Sequence, residues 1–297
     1  MLFKNYPYLC LNNKQDAMNL QQTIDELFLS QRKEWKLLDT AIKQLDNVKV
    51  KDIVWGGDIS VKVQFNPARM VSTSAKIDKE AIEKRPCFLC PKNRPKEQKG
   101  IPFLNKYLIL ANPYPILRNH LTISFHSHVA QRIRKKIGDM LVLAESLPDY
   151  VVFYNGPKCG ASAPDHFHLQ AGLKMPILQS GDNELRSCLI IKSKTRNEAE
   201  DRFEDVYRYL HRCQPQEDEP MMNVIAYMEG DTYVLHVFPR KAHRPRQYYL
   251  EGKEQLLISP GALDMAGLII TVREEDFEKI TKEDIEDIYA QVSMPVT

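Results

Sequence analysis

The sequence has no long hydrophobic run: nowhere do its 297 residues hold the roughly 18 consecutive apolar side chains that a membrane-spanning helix needs. Met1-Leu2-Phe3-Lys4-Asn5-Tyr6-Pro7 carries no uninterrupted apolar stretch behind its lysine, so this end does not read as a secretory signal. Neither sign of charge is in excess. The 41 Lys and Arg face 39 Asp and Glu, a formal balance of +2, which gives no reason to expect a nucleic-acid or membrane partner. Cysteine is sparse: six residues, four of them scattered singly, argue against a disulfide framework and for a cytoplasmic location. Low-complexity segments and long linkers are missing too. With 43% hydrophobic residues, the chain is long enough for one large domain or two smaller ones, and a homodimer stays open.

Against that plain background one stretch stands out, Asp165-His166-Phe167-His168-Leu169-Gln170. In an extended strand alternate side chains share a face, so His166, His168 and Gln170 would project together and span about 7 Å. Phe167 and Leu169 would face a core. Upstream lies Asn155-Gly156-Pro157-Lys158-Cys159-Gly160-Ala161-Ser162, a turn-rich loop small enough for a phosphate to approach its backbone N–H groups. A polar rail beside such a loop suggests histidine acting as a nucleophile on a nucleotide. A polar sheet face, or a metal site without catalysis, would also place two histidines on a strand.

The second signature is Cys87-Phe88-Leu89-Cys90, within a loop rich in Pro, Lys and Arg. A two-residue gap lets both thiolates reach one tetrahedral zinc at about 2.3 Å. No second pair of this spacing exists, so histidines must complete the set, from among His120, His126, His128 and His166. The alternatives are a redox pair, which normally opens a helix after a strand, or two buried free thiols.

Periodicity organises the rest. Residues 14–44 read as helix through Met18, Ile24, Leu27, Phe28, Trp35 and Leu38. Val61, Val63 and Phe65 alternate as a strand that ends at Asn66-Pro67-Ala68-Arg69. Then come strands at Tyr107–Ala111 and His120–Ser124, a helix over 129–147, a strand at Val151–Tyr154, the small-residue loop and the rail. A weaker echo follows: a helix with Phe203, Val206, Tyr207 and Leu210 on one face, then a hairpin of Asn223–Met228 and Thr232–Phe238. Ser259-Pro260-Gly261-Ala262 forms a second small-residue loop, leading to Leu268-Ile269-Ile270. A last helix carries Ile285, Ile288, Tyr289 and Val292 behind a capping box of Thr281 and Asp284.

His-x-His-x-Gln behind a Gly/Ser loop resembles the transferase branch of the histidine-triad superfamily: galactose-1-phosphate uridylyltransferase, diadenosine tetraphosphate phosphorylase and GDP-L-galactose phosphorylase. The hydrolase branch usually has a third histidine where Gln170 stands. The order Cys87-x-x-Cys90, Asn112-Pro113, His120-Leu-Thr-Ile and His128 is also similar. The likeness covers roughly 60–240. It implies an α+β fold of duplicated histidine-triad-like units, antiparallel sheets with flanking helices: a catalytic unit with an N-terminal helix over 1–175 and a degenerate second unit over 176–297. The zinc ligands of the family carry over to Cys87, Cys90, His128 and His166, as a structural site. The loop from Ser162 to His166 is one residue longer than in the uridylyltransferases, nearer the phosphorylase pattern. The hexose contacts of the uridylyltransferases are not evident, which leaves the sugar open.

Resemblance and geometry together make His168 the nucleophile. It attacks the α-phosphorus of a nucleotide sugar or dinucleoside polyphosphate, and phosphate or a sugar phosphate then takes the nucleotidyl group from it. Gln170 donates its amide to a phosphoryl oxygen. Asn155, Ser162 and Lys158 are expected at phosphate and Asn112 at ribose. Arg69, with the cluster Arg240, Lys241, Arg244 and Arg246, is a candidate for the distal phosphate or sugar, against the plainer reading of a solvated basic face. His120, His126, His211, His236 and His243 are given no role. The rival functions are a phosphohydrolase of the same fold and a non-catalytic zinc-containing nucleotide-binding protein.

Overall fold

The computed structural model describes residues 14–56, 59–75, 78–175 and 185–296. The Met1–Pro7 stretch, the Met18 side chain and the stretch just after the expected division at 175 lie outside the described residues. Among the described residues no helix is long and apolar enough to cross a membrane.

Among the described residues, eleven strands build two sheets. In the large sheet β3 (Gly100–Phe103), β4 (Tyr107–Ala111), β5 (Leu121–Phe125), β6 (Tyr150–Asn155), β7 (His168–Leu173), β8 (Leu189–Ser193), β9 (Met222–Glu229) and β10 (Thr232–Pro239) lie in the order β3-β4-β5-β7-β6-β9-β10-β8. Every pairing in it is antiparallel. With α5 (Ile137–Ser146) and α6 (Arg196–Cys213), the run β5-α5-β6-β7 recurs as β8-α6-β9-β10, the two in mirrored order about the β6·β9 seam. In the small sheet β2 (Ile59–Phe65) is flanked by β1 (Lys49–Gly56) and, in parallel, by β11 (Leu268–Thr271). The expected echo is therefore corrected in one part. Leu268–Ile270 is no strand of a second copy; it pairs with the N-terminal β2.

Period-two alternation divides the core. Val152, Tyr154, Phe167, Leu169 and Ala171 face a cluster shared with Leu20, Ile24, Leu38, Met140, Leu141 and Phe203 of the helices. Val151, Phe153 and Ile225 point the other way, against Val63, Leu263, Ile269 and Tyr289. Fully burying a side chain such as Phe167 is worth about 1.5–3 kcal/mol, which fixes which face His168 and Gln170 must take. A one-residue slip of β7 would bury both polar side chains among the helices.

Two helix expectations are revised. Residues 14–44 form α1 (Lys14–Glu34) and α2 (Lys36–Leu45), broken at Trp35, which is extended (φ −124°, ψ 93°) and inserts into the core. The helix expected over 129–147 starts only at Ile137, because the preceding segment is tied to β7. Phe167 N donates to Val129 O at 2.7 Å, and Gln131 N to Pro164 O at 3.1 Å. The last helix, α9 (Lys282–Val292), has the expected capping box.

Candidate active site

His166 lies in the bend two residues before β7, and only His168 and Gln170 of the rail are in the strand. The β6–β7 ladder ends with Phe153 opposite Gln170. Beyond it Asn155 and His168 splay apart, and the amide of Gln131, fully buried, takes the place of ladder bonds. Its Oε1 accepts from His168 N at 2.9 Å, while Nε2 donates to Asn155 O and His168 O at 3.0 and 2.9 Å. The site occupies this opening. Gln131 was not found from sequence, since it sits in a segment that reads as helix.

His168 is 4% exposed. Its Nδ1 lies 2.9 Å from His166 O, a carbonyl that can only accept, so Nδ1 carries the proton and Nε2 keeps its lone pair. Burial pulls its pKa down to about 4, so it is neutral at physiological pH. That is the state a nucleophile needs.

Gln170 is oriented by a residue given no role above. Ile116 N donates to His120 Nδ1 at 2.9 Å, which forces the proton onto Nε2. Nε2 lies 2.9 Å from Gln170 Oε1 and donates to it, leaving the glutamine NH2 for the cleft. Desolvation, then the nearby Arg69 charge, holds His120 down to about 3, so this wiring does not change with physiological pH. His120 and Gln170 meet through the pairing of β5 and β7, 50 residues apart in the chain.

A cleft of about 620 Å³, counted out to open solvent, is lined by Gln170, Asn155, Ser162, Arg69, Arg244 and Asp264 among others. His168 lies on the same strand face as Gln170, two residues back, and does not itself line it. Half-buried Arg69 donates to Tyr114 O at 2.7 Å; desolvation lowers its pKa to about 10, with Asp264 opposing, so it stays a cation. Asp264 is raised to about 6 by burial, although Gly261 N and Ile270 N both donate to it. Arg244 stacks on Tyr248 at 4.0 Å and ties Ser259 to Thr73 and Ala75.

Other expected contacts lie elsewhere. Lys158 pairs with Glu217 at 2.7 Å and does not line the cleft. The Asn112 amide bonds to Thr122 Oγ1 and its oxygen accepts from Tyr114 N, so it serves the strand and the turn. Arg240 is fully buried. Arg246 pairs with Asp287 at the surface at 2.8 Å. Lys241 is exposed.

Cys87, Cys90, His128 and His166 do converge, their donor atoms all within 4.8 Å of one another. Cys87 Sγ is 3.4 Å from His166 Nδ1, and Cys90 Sγ is 3.2 Å from His128 Nδ1. These spacings suit a tetrahedral ion with bonds of about 2.0–2.3 Å. The outer ring nitrogens are held as metal-ligating histidines usually are: His166 Nε2 donates to Phe125 O at 2.8 Å, and His128 Nε2 faces Asp165 at 3.4 Å. Burial opposes ionisation of Cys87, but His166 and the backbone N–H groups of Leu89 and Cys90 outweigh it and bring the thiol down to about 6.

A family model described as a domain of unknown function (DUF4922) matches residues 27–173. No curated protein matches by sequence. Among solved structures, yeast Ap4A phosphorylase Apa2 superposes with a TM-score of 0.64 at 17% identity, over 94% of this chain and 98% of that one. The same enzyme in complex with Ap4A gives 0.64 at 19% identity over the same shares, and in complex with AMP 0.59 at 18%, over 94% and 97%. At such identities the likeness shows a shared fold: mixed α+β, with a large antiparallel sheet and flanking helices.

Proposed function

We propose that the protein is a nucleotidyltransferase of the phosphorylase type, acting on a nucleoside diphosphate sugar or a dinucleoside polyphosphate through a nucleotidyl-His168 intermediate. The observation that carries this reading is the state of His168: neutral, its Nδ1 proton held by His166 O, its Nε2 lone pair free. The fold shared with a yeast phosphorylase, which has been crystallised with Ap4A and AMP, supports it.

His168 Nε2 attacks the α-phosphorus; the P–N bond forms as the bond to the distal phosphorylated half breaks, and that half leaves with the electron pair. Inorganic phosphate or a sugar phosphate then attacks the same phosphorus and restores neutral His168. The Gln170 NH2 donates to a non-bridging oxygen while charge builds there. Asn155 and Ser162 bind phosphate, and Arg69 takes the distal half. Cys87, Cys90, His128 and His166 hold a structural zinc, whose part is to fix the entry to β7. The His166 carbonyl that orients His168 belongs to one of these ligands, so the metal centre and the nucleophile share a residue.

The test is incubation with a panel of nucleotide sugars and dinucleoside polyphosphates, with and without inorganic phosphate, and mass spectrometry of products and protein. Phosphate-dependent consumption and an adduct on His168 are expected. Equal release of nucleoside monophosphate without any acceptor overturns the transferase in favour of the hydrolase.

A further inference from the structure

Asn155 ends β6 at the cleft, and its side chain is gripped from the far half of the chain. Its Oδ1 accepts from Ala262 N at 2.7 Å and from Asn223 Nδ2 at 2.9 Å. A backbone N–H can only donate, so the oxygen is held in place and the Asn155 NH2, without a partner among the described residues, is left for the cleft. Asn223 is held just as firmly. Its own oxygen accepts from Arg240 Nη1 at 2.6 Å, which commits its NH2 to Asn155 Oδ1 and to Cys159 O at 2.7 Å in the small-residue loop.

Arg240, fully buried, spends all five N–H donors on oxygens: Asn223 Oδ1 and the carbonyls of Pro260, Val292, Ala242 and His243. None of these partners is a carboxylate. Keeping a buried cation without a carboxylate partner is costly, and neither lysine nor an apolar residue could satisfy this fork of acceptors. We propose that Arg240, acting through Asn223, is a positioning residue that sets the polarity of Asn155, so that the C-terminal half turns an amide donor toward a phosphoryl oxygen in the cleft. This rests on the nucleotide-binding part of the function proposed above.

The test is a double-mutant cycle read by calorimetric titration of the full chain with AMP, GMP, CMP and UMP. Asn223→Asp preserves shape and gives Arg240 a carboxylate, but it has no donor for Asn155. Ala262→Pro removes the other donor at the first residue of a short helix, where proline is favoured. Each is expected to weaken binding of the preferred nucleotide roughly tenfold or more, the scale of a hydrogen bond to a charged group. In an Asn155→Ala background both effects should vanish. Affinity within about twofold of wild type for both variants, or losses adding in full to that of Asn155→Ala, overturns the proposal. If Asn223→Asp does not fold, Asn223→Ala, which also takes the Nδ2 donor from Asn155, is read in its place. Binding needs no turnover: nucleotide affinity that follows this pattern without any adduct on His168 refutes the transferase and leaves the positioning role intact. A chain that binds none of the four refutes both.

Discussion

At the scale of single residues, His168 and Gln170 make the sharpest tests. Replacing His168 with glycine should leave the nucleotide site intact and cut turnover by about 10⁴-fold or more, the scale for loss of a nucleophile; single-turnover assays read it, and activity within tenfold of wild type refutes the assignment. Replacing Gln170 with histidine should raise the share of product formed with water, because an imidazole can shuttle a proton and an amide cannot. Product ratios with and without phosphate decide it. These two residues were legible because both lie on one short strand, where the spacing itself carries the geometry. Their partners were not. His120, Gln131 and Arg240 reach the site through strand register and buried amides that link positions 17 to 68 apart in the chain. In the sequence His120 looks like an ordinary strand residue and Gln131 like a helix residue, while Arg240 stands in a basic run that gives no sign of burial.

At the scale of elements, the Cys87–Cys90 loop and the two small-residue loops matter most. Cys87→Ser should lower bound zinc well below one per chain, measured by elemental analysis of purified protein; full retention refutes the ligand set. Gly160 has φ +95°, and a Cβ there would come within 2.9 Å of Gly261 Cα. Gly160→Ala should therefore cost about 1–3 kcal/mol in stability and weaken nucleotide binding as well, seen as a lower urea midpoint and a higher Kd. Amphipathic spacing found most elements, among them Tyr107–Ala111 and the β9–β10 hairpin. It failed over 129–136, where apolar spacing suits a helix but Val129 O is taken by Phe167 N and Gln131 by His168. β8 was missed because an edge strand with one half-exposed face, such as that of Ile190, has little signal of its own.

For the whole molecule, the buried imidazoles set the response to acid. His120, His168, His236 and His243 are held near 3, 4, 4 and 3, largely by burial, against 6.5 when unfolded. The unfolded chain thus binds more protons at these sites, and their contribution, present above 6.5, is lost as pH falls toward 4. Asp264, raised to about 6, acts in the opposite direction, as do Glu219 and His166, also raised, but the shifts of the four imidazoles are larger. The urea midpoint is expected to fall steadily from pH 7 to pH 5; a flat or rising midpoint would show that these histidines are not buried as neutral groups.

The parallel pairing of β2 with β11 joins Lys62 to Leu268 and Phe65 to Thr271. Contacts this distant in sequence form slowly, since a long loop must close before anything is gained. The wall of the cleft that holds Gly261, Asp264 and Ile270 cannot be in place until the chain as far as β11 has left the ribosome. A growing chain can therefore assemble its thiolate–imidazole cluster and its histidine strand early, while the cleft beside them waits for residues 261–270. The histidine strand and the far wall of its cleft are thus separated in time, and His168 and Gln170 stand beside an incomplete cleft until β11 has paired with β2.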